Sequence, residues 1–300
     1  MKKILLSLLV LLLFILGCAQ KSTEQKSELA HTGTEGIVFN FLTNYPPNTI
    51  YTQGTGDTGN SIVLEVKNKG AYTTAVTFYL SGFDPSIINI GATTQTIGTI
   101  EGKTTTNKEG GYTQVQFPPY GTFSVNLPPG TDVYPATLQA TACYDYQTKA
   151  VLPVCIDPDP YGIVKQKACT PKGAPTAGGQ GAPVAITSVE QESLPGKVIF
   201  KIRVGNVGGG QVLEKGLSNI CTSSLLRYNQ IDKIQYNVKL GGAGGDCKPT
   251  TPLRLVNNQA TITCSFNVGT SKLAYTTTLD VELNYGYLSS VQKSIQIKKI

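Results

Sequence analysis

The residues best equipped for chemistry are few. Asp157-Pro158-Asp159-Pro160 sets two carboxylates one residue apart. Such a pair suits Ca2+ only if carbonyls and further acids join it, and no further acids lie nearby in the chain. Asp and Pro each favour turns for their own reasons, so a rigid turn is the plainer expectation. Asp157 and Asp159 stand as a weak Ca2+ candidate, with no other metal site expected. His31 is the only histidine and lies in a polar stretch near the start, which leaves no Ser-His-Asp or Cys-His arrangement to assemble. There is no G-x-S-x-G elbow, H-E-x-x-H pair or phosphate loop. Gly241-Gly242-Ala243-Gly244-Gly245 follows a strand-like run and leads to Cys247 and Pro249, so it reads as a hairpin tip and not as a phosphate cradle at a helix start. The sequence predicts no catalytic residue, no cofactor and no enzyme.

Cysteine chemistry is the other candidate. Of seven cysteines, Cys18 stands apart near the start and six remain: Cys143, Cys155, Cys169, Cys221, Cys247 and Cys264. None forms a CxxC pair beside histidines, which argues against zinc. An even count in an exported chain predicts three disulfides, out of 15 possible pairings. Strand phase suggests partners. With Leu138, Ala140, Ala142 and Tyr144 facing the core, Cys143 and Cys155 both face outward, equidistant from a turn expected at Lys149. Opposed Cα atoms about 4.5–5.5 Å apart in an antiparallel pair lie within disulfide reach. Cys247 and Cys264 flank a hairpin expected at Asn257-Asn258 and form a second candidate pair. Cys169 and Cys221 are left, either bonded across the joint between two modules or free.

The elements that would position these groups are strands. Short alternating runs are separated by Gly, Pro, Asn and Ser clusters, the pattern of an all-β sandwich. Ile62, Leu64 and Val66 share one face against Glu65 and Lys67; Val198, Phe200, Ile202 and Val204 alternate with Lys201 and Arg203. Both runs end in V-x-N-x-G: Val66-Lys-Asn68-Lys-Gly70 and Val204-Gly-Asn206-Val-Gly208. Further on, Leu138 precedes Tyr144 and Tyr146 as Leu279 precedes Tyr285 and Tyr287. Val66 to Tyr144 spans 78 positions and Val204 to Tyr285 spans 81, so the chain reads as two copies of one β-module. Each Tyr-x-Tyr strand is expected to turn back on a partner, Ala150–Ile156 in the first copy and Val291–Ile297 in the second, as a closing hairpin. The paired tyrosines suit half-buried strand ends better than ligand stacking. The Gly- and Pro-rich segment 171–183 is the linker, giving sandwich 1 over residues 36–170 and sandwich 2 over residues 184–300.

The first residues set the compartment. Lys2 and Lys3 precede an apolar run from Ile4 to Leu16, which ends in Ile15-Leu16-Gly17-Cys18. A basic start, a short apolar core and a small residue at the cut site describe an export signal. The run falls short of the roughly 20 apolar residues of a membrane span; retention as an anchor, or cleavage with Cys18 unmodified, remain the alternatives. The tetrad resembles the lipobox of prokaryotic lipoproteins, which implies lipidation at Cys18 and an export destination on the outer face of the cell membrane. Residues 19–35 are polar and aperiodic, and read as a flexible tether. The net charge of +6 falls to +4 without Lys2 and Lys3, and the basic residues are scattered. No stripe or patch of the kind nucleic acid requires is present.

The V-x-N-x-G turns in an exported two-copy β-chain resemble CARDB-like and related immunoglobulin-like domains of prokaryotic surface proteins. The segment from Ala142-Cys143-Tyr144-Asp145-Tyr146 to Cys155-Ile156-Asp157-Pro158-Asp159-Pro160-Tyr161 looks like surface proteins of small-genome archaea. That resemblance implies two tandem immunoglobulin-like β-sandwiches and an adhesion or scaffold role, and it supplies no catalytic residues. The stretch Thr93–Gly111 departs from a compact module of this type, as an insertion would. The leading expectation is a lipid-anchored surface protein with a structural or binding role and a protein or envelope-polymer partner. A filament or envelope subunit assembled by strand addition is the second. A carbohydrate-binding accessory or hydrolase is the third, disfavoured by the absence of Trp and of a histidine set.

Overall fold

The computed structural model describes residues 32–300, apart from 163–165, 175, 177–178 and 222–225. The export signal with Cys18, and His31 in the tether, lie outside the described residues. Among the described residues the chain is all-β, with no α-helix. The first half supplies β1 (Ile37–Phe41), β2 (Thr49–Thr52), β3 (Thr55–Asp57), β4 (Ile62–Asn68), β5 (Thr74–Ser81), β6 (Ile88–Asn89), β7 (Thr94–Ile100), β8 (Tyr112–Phe117), β9 (Ser124–Asn126) and β10 (Val133–Ile156). The second supplies β11 (Val184–Leu194), β12 (Lys197–Asn206), β13 (Gln211–Leu213), β14 (Lys233–Leu240), β15 (Ala243–Gly244), β16 (Asp246–Lys248), β17 (Leu253–Arg254), β18 (Gln259–Asn267) and β19 (Tyr275–Lys299).

Two of these strands are far longer than the usual five or six residues: β10 has 24 and β19 has 25. They pair antiparallel from Val133↔Lys298 to Ile156↔Tyr275 without a register shift. Around them lies one sheet in the order β15-β14-β19-β10-β5-β7, with β13 and β2 also bonded to β19. The early part of β10 borders β5, and the early part of β19 borders β14. A three-stranded sheet, β1-β4-β8, and a four-stranded sheet, β11-β12-β18-β16, complete the two halves, with a small sheet β3-β9-β6 beside the first.

Period-two alternation explains why β10 can be this long. Its even-numbered residues from Leu138 to Ile156 are all buried, while Lys149, Val151 and Pro153 are exposed. A strand that keeps one phase can serve two halves of a core without changing face. On β19 the odd residues Leu279 to Tyr287, then Ile295 and Ile297, do the same. One continuous hydrophobic cluster results, running from Ile37 to Ile297.

The pairing has an internal two-fold. Asp145 faces Gly286, Tyr144 faces Tyr287 and Tyr146 faces Tyr285, so the repeat that relates Tyr144 to Tyr285 and Tyr146 to Tyr287 exchanges the two strands. The expected closing hairpins do not form. β10 passes Lys149 and continues beside β19, and Val291–Ile297 belongs to the same strand as Tyr285 and Tyr287. The physical reason is local: residues 145–150, Asp-Tyr-Gln-Thr-Lys-Ala, hold no Gly, Pro or Asn to start a turn.

The disulfides follow. Cys143 and Cys155 are not partners, because 12 residues of unbroken strand separate them by roughly 40 Å. Cys143 bonds Cys221, Cys155 bonds Cys169, and Cys247 bonds Cys264. The expected Cys169–Cys221 bridge across the joint is thereby excluded, but Cys221 does tie the two halves. The first half runs from its Asn68 turn into an unbroken β5. The second half interrupts the matching strand after β13 and resumes it as β14. Residues 214–221 form a strap over the outer face of β10, where Cys143, Leu213 and Cys221 make a small buried cluster of their own. Gly216 N–H donates to Asp145 Oδ1 at 2.9 Å, and Tyr79 O–H to the Ser218 carbonyl at 3.1 Å. The insertion-like stretch expected at Thr93–Gly111 instead supplies the edge strand β7, paired with β5.

The Cys143–Cys221 bridge spans 78 positions, and Cys155–Cys169 spans 14. Loop-closure entropy assigns them about 4.5 and about 3 kcal/mol respectively. Cys143→Ser with Cys221→Ser should therefore lower the stability measured by denaturant titration by more than Cys155→Ser with Cys169→Ser does.

Candidate functional site

Asp157 is almost fully buried. Its carboxylate receives the Lys167 ammonium in a short contact, and the Asp159 N–H donates to its Oδ1 at 3.1 Å. Lys167 also donates to the Asp159 carbonyl at 2.6 Å. A lysine thus stands where a metal would have to sit, and the arrangement braces the turn beside the Cys155–Cys169 bridge. Gly241 and Gly242, both at positive φ, turn the chain from β14 into β15, a hairpin tip without a helix behind it.

The two sequence anchors, V-x-N-x-G and Tyr-x-Tyr, meet. Tyr146 O–H donates to Asn68 Oδ1 at 3.1 Å, and Tyr287 O–H donates to Asn206 Oδ1 at 3.0 Å. Each asparagine amide also donates to a carbonyl of its own turn, Tyr72 at 2.8 Å and Gly210 at 2.7 Å. The hydroxyls accept in return, Tyr146 from Tyr72 N–H at 3.3 Å and Tyr287 from Gly210 N–H at 2.8 Å. The motif glycine is required for this approach: a Cβ on Gly70 would lie 2.0 Å from the Tyr146 hydroxyl, and on Gly208 2.7 Å from that of Tyr287. Tyr144 and Tyr285 accept from the first N–H groups of β1 and β11, Ile37 at 3.3 Å and Val184 at 3.2 Å. The four rings pack at the two-fold with centroids 5.6–6.4 Å apart. Burial pushes the hydroxyl of Tyr287 up to about 12 and raises those of Tyr144, Tyr146 and Tyr285. These tyrosines are packing and pinning groups, closed to a ligand.

An open surface lies on the opposite side of the long sheet. Between Val133 and Tyr144, β10 has no charged residue; on β19 between Glu282 and Lys298 the sole one, Lys293, points with the inward-facing odd positions. The outer face there is built from hydroxyl and amide groups. Thr141 and Ser290 hydroxyls lie 2.8 Å apart, and the Gln292 amide donates to Gln139 Oε1 at 2.8 Å. Beyond these rungs an open groove of about 410 Å3 is lined by Asn48, Thr49, Pro135, Thr137, Ser294 and Gln296. Thr49 faces Gln296 across the parallel β2–β19 pair. Two residues on, Tyr51 shares its face and is 59% exposed. Sequence reasoning missed this surface because its residues come from three strands. The signal that was available is the uncharged outward phase of β10 and β19.

No family model matches the chain, and no curated protein matches it. Among solved structures, the chain aligns over 89% of its length with the whole of the C-terminal domain of the antigen I/II-family protein AspA of Streptococcus pyogenes, at 8% identity and a TM-score of 0.13. It also aligns over 89% of its length with 98% of the collagen binding domain of surface protein RspB of Erysipelothrix rhusiopathiae, at 9% identity and a TM-score of 0.13. At such scores neither likeness carries an argument.

The tyrosine cluster gives a pH dependence. A hydroxyl whose folded pKa is raised keeps its proton while the unfolded chain loses it from about pH 10, so stability is fully present below that pH and falls above it. Thermal melts should be flat from neutral pH to about pH 9 and drop steeply above pH 10, with the four buried tyrosinates appearing by absorbance only as the chain unfolds. Replacing Tyr146 and Tyr287 by Phe should make the drop shallower.

Proposed function

We propose that the chain is a lipid-anchored protein of the cell surface that binds or scaffolds, and that it performs no reaction of its own. The observation that carries this reading is the paired 24-residue ladder of β10 and β19, strapped by Cys143–Cys221. It makes the two halves one stiff platform with a broad open sheet face, a build suited to presenting a surface. Groups that could have done chemistry are otherwise engaged: Asp157 with Lys167, and the four tyrosines with the asparagine turns and backbone. Three disulfides suit an oxidising compartment outside the cytosol, in keeping with the export signal. Two acyl chains at Cys18 would give stable membrane residence. The membrane and a partner in the envelope are then its two contacts, and no cofactor is needed.

One observation favours a second reading, assembly by strand addition. The edge strand β7, Thr94-Gln-Thr-Ile-Gly-Thr-Ile100, has neither charge nor proline. Edges of that kind are templates for pairing. Between β7 and β8, a groove of about 340 Å3 is lined by Ile97, Ile100 and Tyr112 among others.

The anchor is tested by metabolic labelling with an alkyne fatty acid in cells expressing the full chain. Wild type should be labelled and pellet with membranes, while Cys18→Ser should carry no label. Equal label on both would overturn the reading.

A further inference from the structure

The two-fold provides an internal control on the outer sheet face. Positions related by it have the same place in the fold, yet they differ in charge. On the side of the first half, Gln139 and Ser290 take the places that Asp280 and Lys149 take on the side of the second, with matching exposure. The fold therefore tolerates charge at these positions, and the neutrality of the first half is a property of that face alone. Its hydrogen-bonding groups divide into two sets. Thr141 with Ser290, and Gln139 with Gln292, satisfy one another. The side chains of Asn48, Thr49, Thr137, Ser294 and Gln296, which line the groove, make no hydrogen bond to any described residue. The first set fixes the rungs beside the groove; the second is free for an incoming partner.

The chemistry selects the partner. Hydroxyls and amides each donate and accept, which matches a ligand whose own groups are hydroxyls. A polyanion would need Lys or Arg along its track, and a protein partner would need an apolar, aromatic core to the patch. Among the described residues of this face Lys298, beside Tyr51 and opposite Val133, is the one cation, and Tyr51 is the one exposed ring, too little for either. Tyr51 supplies an exposed ring with an apolar body, on the same side of β2 as Thr49. We infer that this face binds an uncharged polysaccharide, with a chain segment seated in the groove among Thr49, Thr137, Ser294 and Gln296 and a sugar ring against Tyr51. This rests on the surface-binding reading and names the class of its ligand.

The test uses the soluble chain from residue 19 onward in native gels cast with laminarin, dextran, yeast mannan or galactomannan, and with heparin as the charged comparison. At least one neutral polysaccharide should retard the protein, and heparin should not. Tyr51→Ala and Ser294→Lys should each weaken that retardation at least tenfold. Val151→Lys, exposed on the corresponding face of the second half, should leave it unchanged. Absence of retardation by every neutral polymer, or full retardation of Ser294→Lys, would overturn the inference. Fatty-acid labelling at Cys18 reads separately: a labelled chain that ignores all four polymers would sink the ligand class and leave the surface reading standing.

Discussion

The structure depends on one interaction, the antiparallel ladder in which every residue of β10 from Val133 to Ile156 faces a residue of β19. Each half of the chain ends in one of these strands, and each strand runs past its own half into the other. Both strands thereby lend side chains to one buried cluster that runs through both halves. The inward phase is held for the whole length, so a shift of one residue would turn the shifted strand's apolar set to solvent. The buried tyrosines at the centre raise the penalty for any slip, because their hydroxyls must reach Asn68, Asn206 and the N–H groups of Ile37 and Val184 together.

From this ladder come two faces with different duties. The inner face is spent on the core and on the tyrosine–asparagine contacts that set where each half begins. The outer face is covered near the two-fold, where the strap lies, and at Cys155, which is bonded to Cys169. Gly286 makes room there: a Cβ would meet the Glu214 carbonyl at 3.0 Å and the Leu213 side chain at 3.1 Å. Elsewhere the outer face is open, neutral up to Lys298 on one side of the axis and charged on the other. A symmetric scaffold has thus come to carry asymmetric chemistry.

Much of this was legible in the sequence. The all-β class and the inward phase of Leu138, Ala140, Ala142 and Tyr144 follow from period-two alternation. The motifs themselves were correctly singled out, though nothing in their spacing says that Asn68 bonds Tyr146. Continuation through Lys149 could have been read from the missing turn residues. The prior for short strands and closing hairpins masked it, and with it went the partners of Cys143 and Cys155. Pairing of Cys143 with Cys221 was beyond reach, since it depends on a strap folding back across a strand 78 positions away. The groove was hidden for a similar reason: Thr137 and Ser294 meet across the β10–β19 ladder, and Thr49 joins them only through the parallel addition of β2 to β19.

Differential scanning calorimetry on the soluble chain from residue 19 onward is the most direct test of the shared ladder. If the two halves hold one sheet in common, they must melt together, in a single transition whose calorimetric enthalpy equals the van't Hoff enthalpy. Two separable transitions, or a calorimetric enthalpy near twice the van't Hoff value, would mean that the halves fold independently and that the ladder does not join them.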